Sequence, residues 1–430
     1  MAERARAVPP KRAVGRVTRL TGLMIESVGP RAKVGDRADV WTPEGPMPAE
    51  VVGFRDGRVL LMPLGDGRQI GPGARVVAHD RPFGVRVGPA LLGRVLDGLG
   101  RPMDGGPPLA GEWREVERRP PSPLERPRID RPLGTGVRAV DALCTVGRGQ
   151  RVGIFAGSGV GKSTLLGMLA RGTQADVTVI ALVGERGREV RQFVDQTLGA
   201  EALARSVVVA ATSDTPARVR IRAAHVATTV AEHFRDQGMD VLFIMDSVTR
   251  YAMALREVGL AVGEPPTTRG YTPSVFAELP RLMERAGRAA HGSITAFYTV
   301  LVDGDDMSEP IADAVRSILD GHLVLSRALA ERGHYPPLDP RQSLSRLMPE
   351  VAGSDHLGHA AEVRRMWSLY EESADLIRIG AYAPGTSPEL DRAVAARPQI
   401  EAFLRQGVGE SAPYEETLRR LADLVGGWGA

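Results

Sequence analysis

The segment Ala156-Gly157-Ser158-Gly159-Val160-Gly161-Lys162-Ser163-Thr164 has the residue types needed to grip a triphosphate. Its glycines let successive backbone N–H groups approach phosphate oxygens closely, and its lysine brings a compact point charge on a flexible stem. That lysine is informative because the chain spells nearly every other cation as arginine. Of 55 basic residues only Lys11, Lys33 and Lys162 are lysines. A planar guanidinium does not fit inside a tight backbone ring, so chemistry overrides composition here. Ser163 follows with a hydroxyl suited to Mg²⁺, and residues Gly157 to Thr164 together form the candidate ATP-binding set. Ala156 stands where the general pattern has its first glycine.

Cleaving a triphosphate also requires an ion ligand, a group that aligns water, and compensation of charge. Val241-Leu-Phe-Ile-Met-Asp246 is an apolar run ending in a carboxylate, which places Asp246 at a strand tip near a Mg²⁺ hydration shell. A bare helix start at Ser247 is the simpler alternative. The run Val177 to Val183 leads into Gly184-Glu185-Arg186-Gly187-Arg188-Glu189. Glu185 then falls at the carboxyl edge of the sheet, where ligands bind in open α/β folds, and can polarise water while Arg186 and Glu189 hold it by ion pairing. Taken alone, that charged loop also reads as a solvated turn.

These groups need a strand before the phosphate loop and a helix after it. Arg151 to Phe155 reads as a buried strand, and Ser163 to Ala170 as a helix whose N-terminal dipole favours an anion. Further apolar runs at 206–210 and 293–302 alternate with amphipathic stretches, which argues an α/β domain with a mainly parallel sheet over residues 87–350. Upstream, residues 19–86 carry short alternating runs broken by Gly, Pro and Asp turns, the pattern of a small β-barrel or sandwich. Residues 1–18 are basic and poor in apolar side chains, and read as a flexible tail or a docking segment. Residues 351–430 have helical spacing, with helices expected at 362–370, 388–396, 399–406 and 414–424.

At 430 residues, 43% hydrophobic and 25% charged, the chain has the composition of an ordinary globular protein of several domains. No apolar run is long enough to span a bilayer and no secretory leader is visible, so a cytoplasmic location is expected. The one cysteine, Cys144, excludes an internal disulfide or a cysteine metal cluster and reads as a buried thiol. A net charge of +3 is too weak to imply nucleic acid, and aromatic residues total only 5%.

Several long segments occur in a fixed order: the 156–164 loop, Gly184 to Val190, Asp246 to Ala252, Gly263 to Phe276, Gly304 to Asp313 and Pro336 to Arg346. Together they resemble the type III secretion ATPases, relatives of the rotary-ATPase α and β subunits, across residues 19–425. The resemblance implies a small β-barrel, a RecA-like P-loop domain and a C-terminal helical domain, assembled as a homohexameric ring with ATP and Mg²⁺ at subunit boundaries. It implies that Glu185 is the catalytic carboxylate and that Arg346 is an arginine finger reaching a neighbour's γ-phosphate, a device worth about 10³- to 10⁵-fold in turnover. Tyr335 is similar to the aromatic that packs on adenine, and Arg285 to a further active-site arginine. Gly263 to Phe276 resembles the lining of the central channel, where a coiled-coil stalk protein presses. Further partners implied are a dimeric regulator at the N-terminal region, export chaperones and substrates at the helical domain, and export-gate proteins at the inner face of the cytoplasmic membrane.

Segments 91–98, 380–392 and 400–407 look more like the flagellar branch of the family than the injectisome branch. Two further readings stay open: a rotary synthase subunit, and a ring-shaped nucleic-acid translocase. The latter wants basic and aromatic residues interleaved along its channel, which the 263–276 segment lacks.

Overall fold

In a computed structural model of the chain, which describes residues 14–302 and 306–428, six strands close into an antiparallel barrel. Their order around it is Val14–Thr21, Met24–Val28, Arg58–Pro63, Gly45–Arg55, Asp36–Thr42 and Arg75–Pro82. Alternation sets the inside: in Asp36–Thr42, Ala38 and Val40 are fully buried while their neighbours turn outward. The first strand begins at Val14, so Val14 to Thr18, expected in the tail, belong to the barrel wall. Its outward positions are largely polar, which hides the strand from a hydrophobicity reading. The rest of the expected tail, residues 1–13, lies outside the described residues.

The second body is a mainly parallel sheet ordered Leu344–Ser345, Gly321–Leu325, Arg151–Ala156, Ser293–Leu301, Asp240–Asp246, Val177–Glu185, Ser206–Thr212 and Val95–Asp97. Its central strands are apolar at nearly every position because helices cover both faces, as a parallel sheet requires. Successive residues point to opposite sides. Val179 and Phe243 meet Val226 and Phe234 of helix Ala217–Asp236, whereas Ile180 and Ile244 share a core with Leu166 and Leu169 of helix Lys162–Gly172.

Helices Ser354–Arg378, Pro388–Leu404 and Tyr414–Gly426 complete the chain. Val363, Trp367, Ile400 and Phe403 enter the same core as Leu165 and Leu169, and all three helices pack on the short helix Arg138–Leu143, so the helical segment shares the core of the sheet domain rather than having one of its own. Where two helices are expected at 388–396 and 399–406, one runs through Pro398. Proline removes one backbone bond there, and the buried face formed by Ala393, Ala396, Ile400 and Phe403 keeps the helix continuous. Among the described residues no helix is long and apolar enough to cross a membrane. Cys144 is buried and accepts a contact from Arg364 at 3.2 Å.

The barrel is tied to the sheet domain by charge. Glu50, on barrel strand Gly45–Arg55, is 1% exposed and pairs with Arg218 and with Arg222 Nε at 2.7 Å, both on helix Ala217–Asp236. Burial alone would raise the Glu50 carboxyl, but the two guanidinium groups outweigh it and hold it below the ordinary carboxylate range. That helix packs against strand Val177–Glu185, so the clamp sits directly behind an element of the site.

Candidate active site

Strand Arg151–Ala156 delivers the chain to the phosphate loop, and helix Lys162–Gly172 leaves it. Gly161 caps that helix with φ of +104°, and Gly159 has φ of +75°, conformations that side chains disfavour. Arg327 donates to the Ser158 carbonyl at 3.1 Å and braces the tip of the turn. Ser163 is exposed at the helix start, while Val160 is buried and anchors the loop from beneath.

Two neighbouring strand ends complete the arrangement. Lys162 Nζ contacts Asp246 Oδ1 and lies 3.6 Å from Glu185 Oε1. All three side chains are largely enclosed, at 12%, 4% and 16% exposure. Burial opposes the Lys162 charge, but Asp246 and then Glu185 overcome it and raise its pKa. Glu185 is pushed up to about 7, first by burial and then by the charge of Asp246, with Lys162 pulling the other way.

The aim of Glu185 comes from a bulge. The pairing of Val177–Glu185 with Ser206–Thr212 slips between Val183 and Glu185, at Gly184, whose φ is +74°. A Cβ on Gly184 would meet Arg250 Cβ at 2.8 Å, so only glycine lets the strand re-aim its last side chain here. Asp246 is placed by strand Asp240–Asp246 and receives the Thr299 hydroxyl at 2.7 Å. Nothing in the sequence marks Thr299, since a lone threonine inside an apolar run announces no role. Ser247 does cap the next helix, accepting from Arg250 N at 3.3 Å, so the cap and the site carboxylate occupy adjacent residues.

Arg186 and Glu189 do not hold Glu185 by ion pairing, contrary to expectation. Arg186 is 76% exposed and pairs with Glu189 at 3.2 Å, and Lys162 is the cation beside Glu185. Arg285 is also not brought to the phosphate loop. It is fully buried, gives two 2.8 Å bonds to Glu232, and binds the Thr229 hydroxyl and the Val116 carbonyl. It precedes Gly287–Arg288, which pairs with the opening residues of Ser293–Leu301, the sheet edge opposite the loop. Its donors are spent on the fold.

Tyr335 does come to the loop: a Cβ on Gly161 would meet its ring at 3.5 Å, and the ring is 43% exposed. Its carbonyl accepts from Gln406 N at 2.9 Å, which draws in the segment that follows helix Pro388–Leu404. A cavity of about 550 Å³ opens beside Thr164, lined in part by Gln196, Val408 and Gly409. Val408 is 54% exposed and apolar, a wall residue with no chemical signature in the sequence.

Arg346 lies elsewhere. Its N–H donates to the Asp320 carbonyl and Asp320 N–H to the Arg151 carbonyl, each at 2.9 Å. That fixes it beside the start of the strand that ends at Ala156, about 16 Å from the loop at roughly 3.3 Å per residue. Its side chain is exposed and has no ion pair among the described residues. It cannot reach the phosphate loop of its own chain.

The oxygens of Asp246 and Ser163 suit a hard cation such as Mg²⁺, and the two carboxylates against one ammonium leave a negative balance for it to meet. Among the described residues no three His, Cys, Asp or Glu converge as a metal cage, so such an ion would share its ligands with substrate phosphates.

A phosphate loop at the carboxyl edge of a parallel sheet, with carboxylates on two nearby strand ends, defines a RecA-like P-loop nucleoside triphosphatase. The family described as ATP synthase alpha/beta family, nucleotide-binding domain, matches residues 136–345, and the T3SS EscN ATPase C-terminal domain matches residues 352–423. The flagellum-specific ATP synthase of Bacillus subtilis (strain 168) is 54% identical, covering 96% of this chain and 95% of its own. The type 3 secretion system ATPase of Xanthomonas euvesicatoria is 50% identical, covering 96% and 94%. The assembled ATPase EscN of enteropathogenic E. coli superposes with a TM-score of 0.91 at 47% identity, over 96% of this chain and 100% of that one. The chain belongs to the type III secretion ATPase family and is an ATPase.

Proposed function

We propose that the protein hydrolyses Mg²⁺-ATP as a homohexamer to energise or prime flagellar protein export, including release of substrates from chaperones. The observation that carries this reading is a division of the site. Lys162, Glu185 and Asp246 converge at one sheet edge, while the exposed Arg346 sits at the other, so a second copy is needed to complete the charge on the γ-phosphate. The assembled EscN structure, and a second one in complex with its central stalk EscO, support a ring with a stalk partner. A coiled-coil stalk pressing on the 263–276 segment belongs to the proposal. Regulator docking at the N-terminal region, chaperone docking at the helical segment and contact with membrane export-gate proteins are part of the same proposal.

In this reading the Gly157–Thr164 backbone and Lys162 bind the phosphates, Ser163 and Asp246 hold Mg²⁺, Tyr335 packs on adenine, and Glu185 aligns water and accepts its proton. The ion, when bound, neutralises charge developing on the phosphate oxygens. Glu185 works in its ionised form, and its raised pKa means that form is lost as pH falls through about 7. Therefore kcat/KM should climb close to tenfold per unit below pH 7 and level off above it. A profile of phosphate release that stays flat from pH 5.5 to 8 would remove Glu185 from the base role.

The injectisome branch is the second reading, favoured by the 50% identical Xanthomonas relative. Deleting the gene in its source organism separates them. The flagellar reading expects loss of hook and filament protein from the medium and loss of swimming, both restored by the wild-type gene and not by a Lys162→Ala copy. Normal flagella in the deletion strain would overturn it.

A further inference from the structure

The backbone that carries Arg346 is held from two sides, and only one of them belongs to the sheet domain. On that side Leu344–Ser345 pairs with Gly321–Leu325, and Val324 N–H donates to the Ser343 hydroxyl at 2.9 Å. Gln150 Nε2 donates to the Ser345 hydroxyl and to the Asp320 carbonyl, each at 3.0 Å, and that carbonyl also takes the Arg346 N–H. The other side is Arg364, in helix Ser354–Arg378. One of its terminal nitrogens donates to the Pro340 carbonyl and, at 3.1 Å, to the Ser343 carbonyl, both shortly before Arg346 in the chain. The other donates to the Leu143 carbonyl and reaches Cys144 Sγ at 3.2 Å.

Arg364 has no ion pair among the described residues, so its donors go to neutral acceptors from two separate segments. Pro340 and Ser343 are buried, and their carbonyls depend on protein donors. Leu143 and Cys144 are fully buried at the end of helix Arg138–Leu143, on which all three C-terminal helices pack. One planar fork therefore joins the turn that leads to Arg346 to the point where the helical segment meets the sheet domain. A single ammonium could not span both sets of acceptors.

We propose that Arg364 is a positioning residue for the arginine that each chain lends to its neighbour, fixing the 339–343 turn from the helical segment and so setting the direction of Arg346. The inference rests on the shared-site reading of Arg346. Arg364 bonds to none of Lys162, Glu185 and Asp246, so its effect falls on the neighbour's turnover and not on its own chain's phosphate site.

The test uses rings assembled from two kinds of chain, with phosphate release as the readout. Lys162→Ala chains lend Arg346, Arg346→Ala chains supply the phosphate site, and recovered activity reports the seam between them. Arg364→Met added to the lending chain is expected to lower the recovered kcat about 10- to 100-fold, because a misplacement of about 1 Å costs that much. KM for ATP should stay within about twofold, since the lost contact is one made in the transition state. The same substitution added to the Arg346→Ala chain is expected to leave recovered activity within about twofold, because a chain without the arginine has no direction to lose. Equal loss from either placement makes Arg364 a support of folding or assembly and overturns the proposal, as does no loss from either. If Arg364→Met chains fail to enter rings, Arg364→Lys decides by the same comparison, with a smaller loss expected and again only in the lending chain. Failure of the shared-site reading shows separately: the parent mixture, with Arg364 intact, then recovers nothing in rings proven to hold both chains, and the proposal falls with it.

Discussion

Glu185→Gln binds ATP and loses turnover, with kcat falling about 10²- to 10⁴-fold, the range for removing a positioned general base. Glutamine has nearly the same shape, so the bulge at Gly184 still aims it into the site and the Lys162–Asp246 contact remains. What disappears is the carboxylate that takes a proton from water. One negative charge also leaves, which frees Lys162 for phosphate, so nucleotide affinity is expected to hold or to tighten. Phosphate release and binding of a fluorescent ATP analogue measure the two halves separately. Residual activity should also lose the rise with pH through 7 seen in the wild type. Turnover equal to wild type would falsify the assignment.

Arg346→Ala retains ATP binding and loses about 10³- to 10⁵-fold in kcat, the magnitude of an arginine supplied to a γ-phosphate from outside the binding subunit. The backbone of Arg346 is held at the far end of the strand that carries the phosphate loop, so the effect has to travel between chains. Wild-type specific activity should climb with protein concentration as rings form, and the variant should show no such climb. Mixing Arg346→Ala with Lys162→Ala chains sharpens the result. Each variant alone is inactive, yet a seam joining an intact Lys162 to an intact Arg346 is complete, so part of the activity returns on co-assembly. Failure to recover activity in rings proven to contain both chains would sink the shared site.

The phosphate loop, Asp246 and Glu185 were legible in the sequence because the chemistry restricts residue type at each place. A lysine among arginines, and carboxylates closing apolar runs, are uncommon unless a site demands them, and the order of those runs predicts a parallel sheet. Arg285 shows the opposite case. An arginine after Met283-Glu284 looks available, and only the fold brings Glu232, Thr229 and the Val116 carbonyl around it and spends its donors. Arg186 misleads in the same way, since a cation next to Glu185 in sequence turns outward while Lys162, 23 residues earlier, turns in. Pro398 reads locally as a break, and a buried face overrides it.

Residue types and their spacing along the chain were enough to establish triphosphate chemistry, the sheet that presents it and the domain order, because each depends on local pattern or on a chemical requirement. Which charged groups meet could not be read that way. Thr299 on Asp246, Arg364 across Leu143 and Ser343, and Glu50 against Arg218 and Arg222 join residues far apart in the chain, and a side chain carries no local mark of a partner that only the folded backbone brings near.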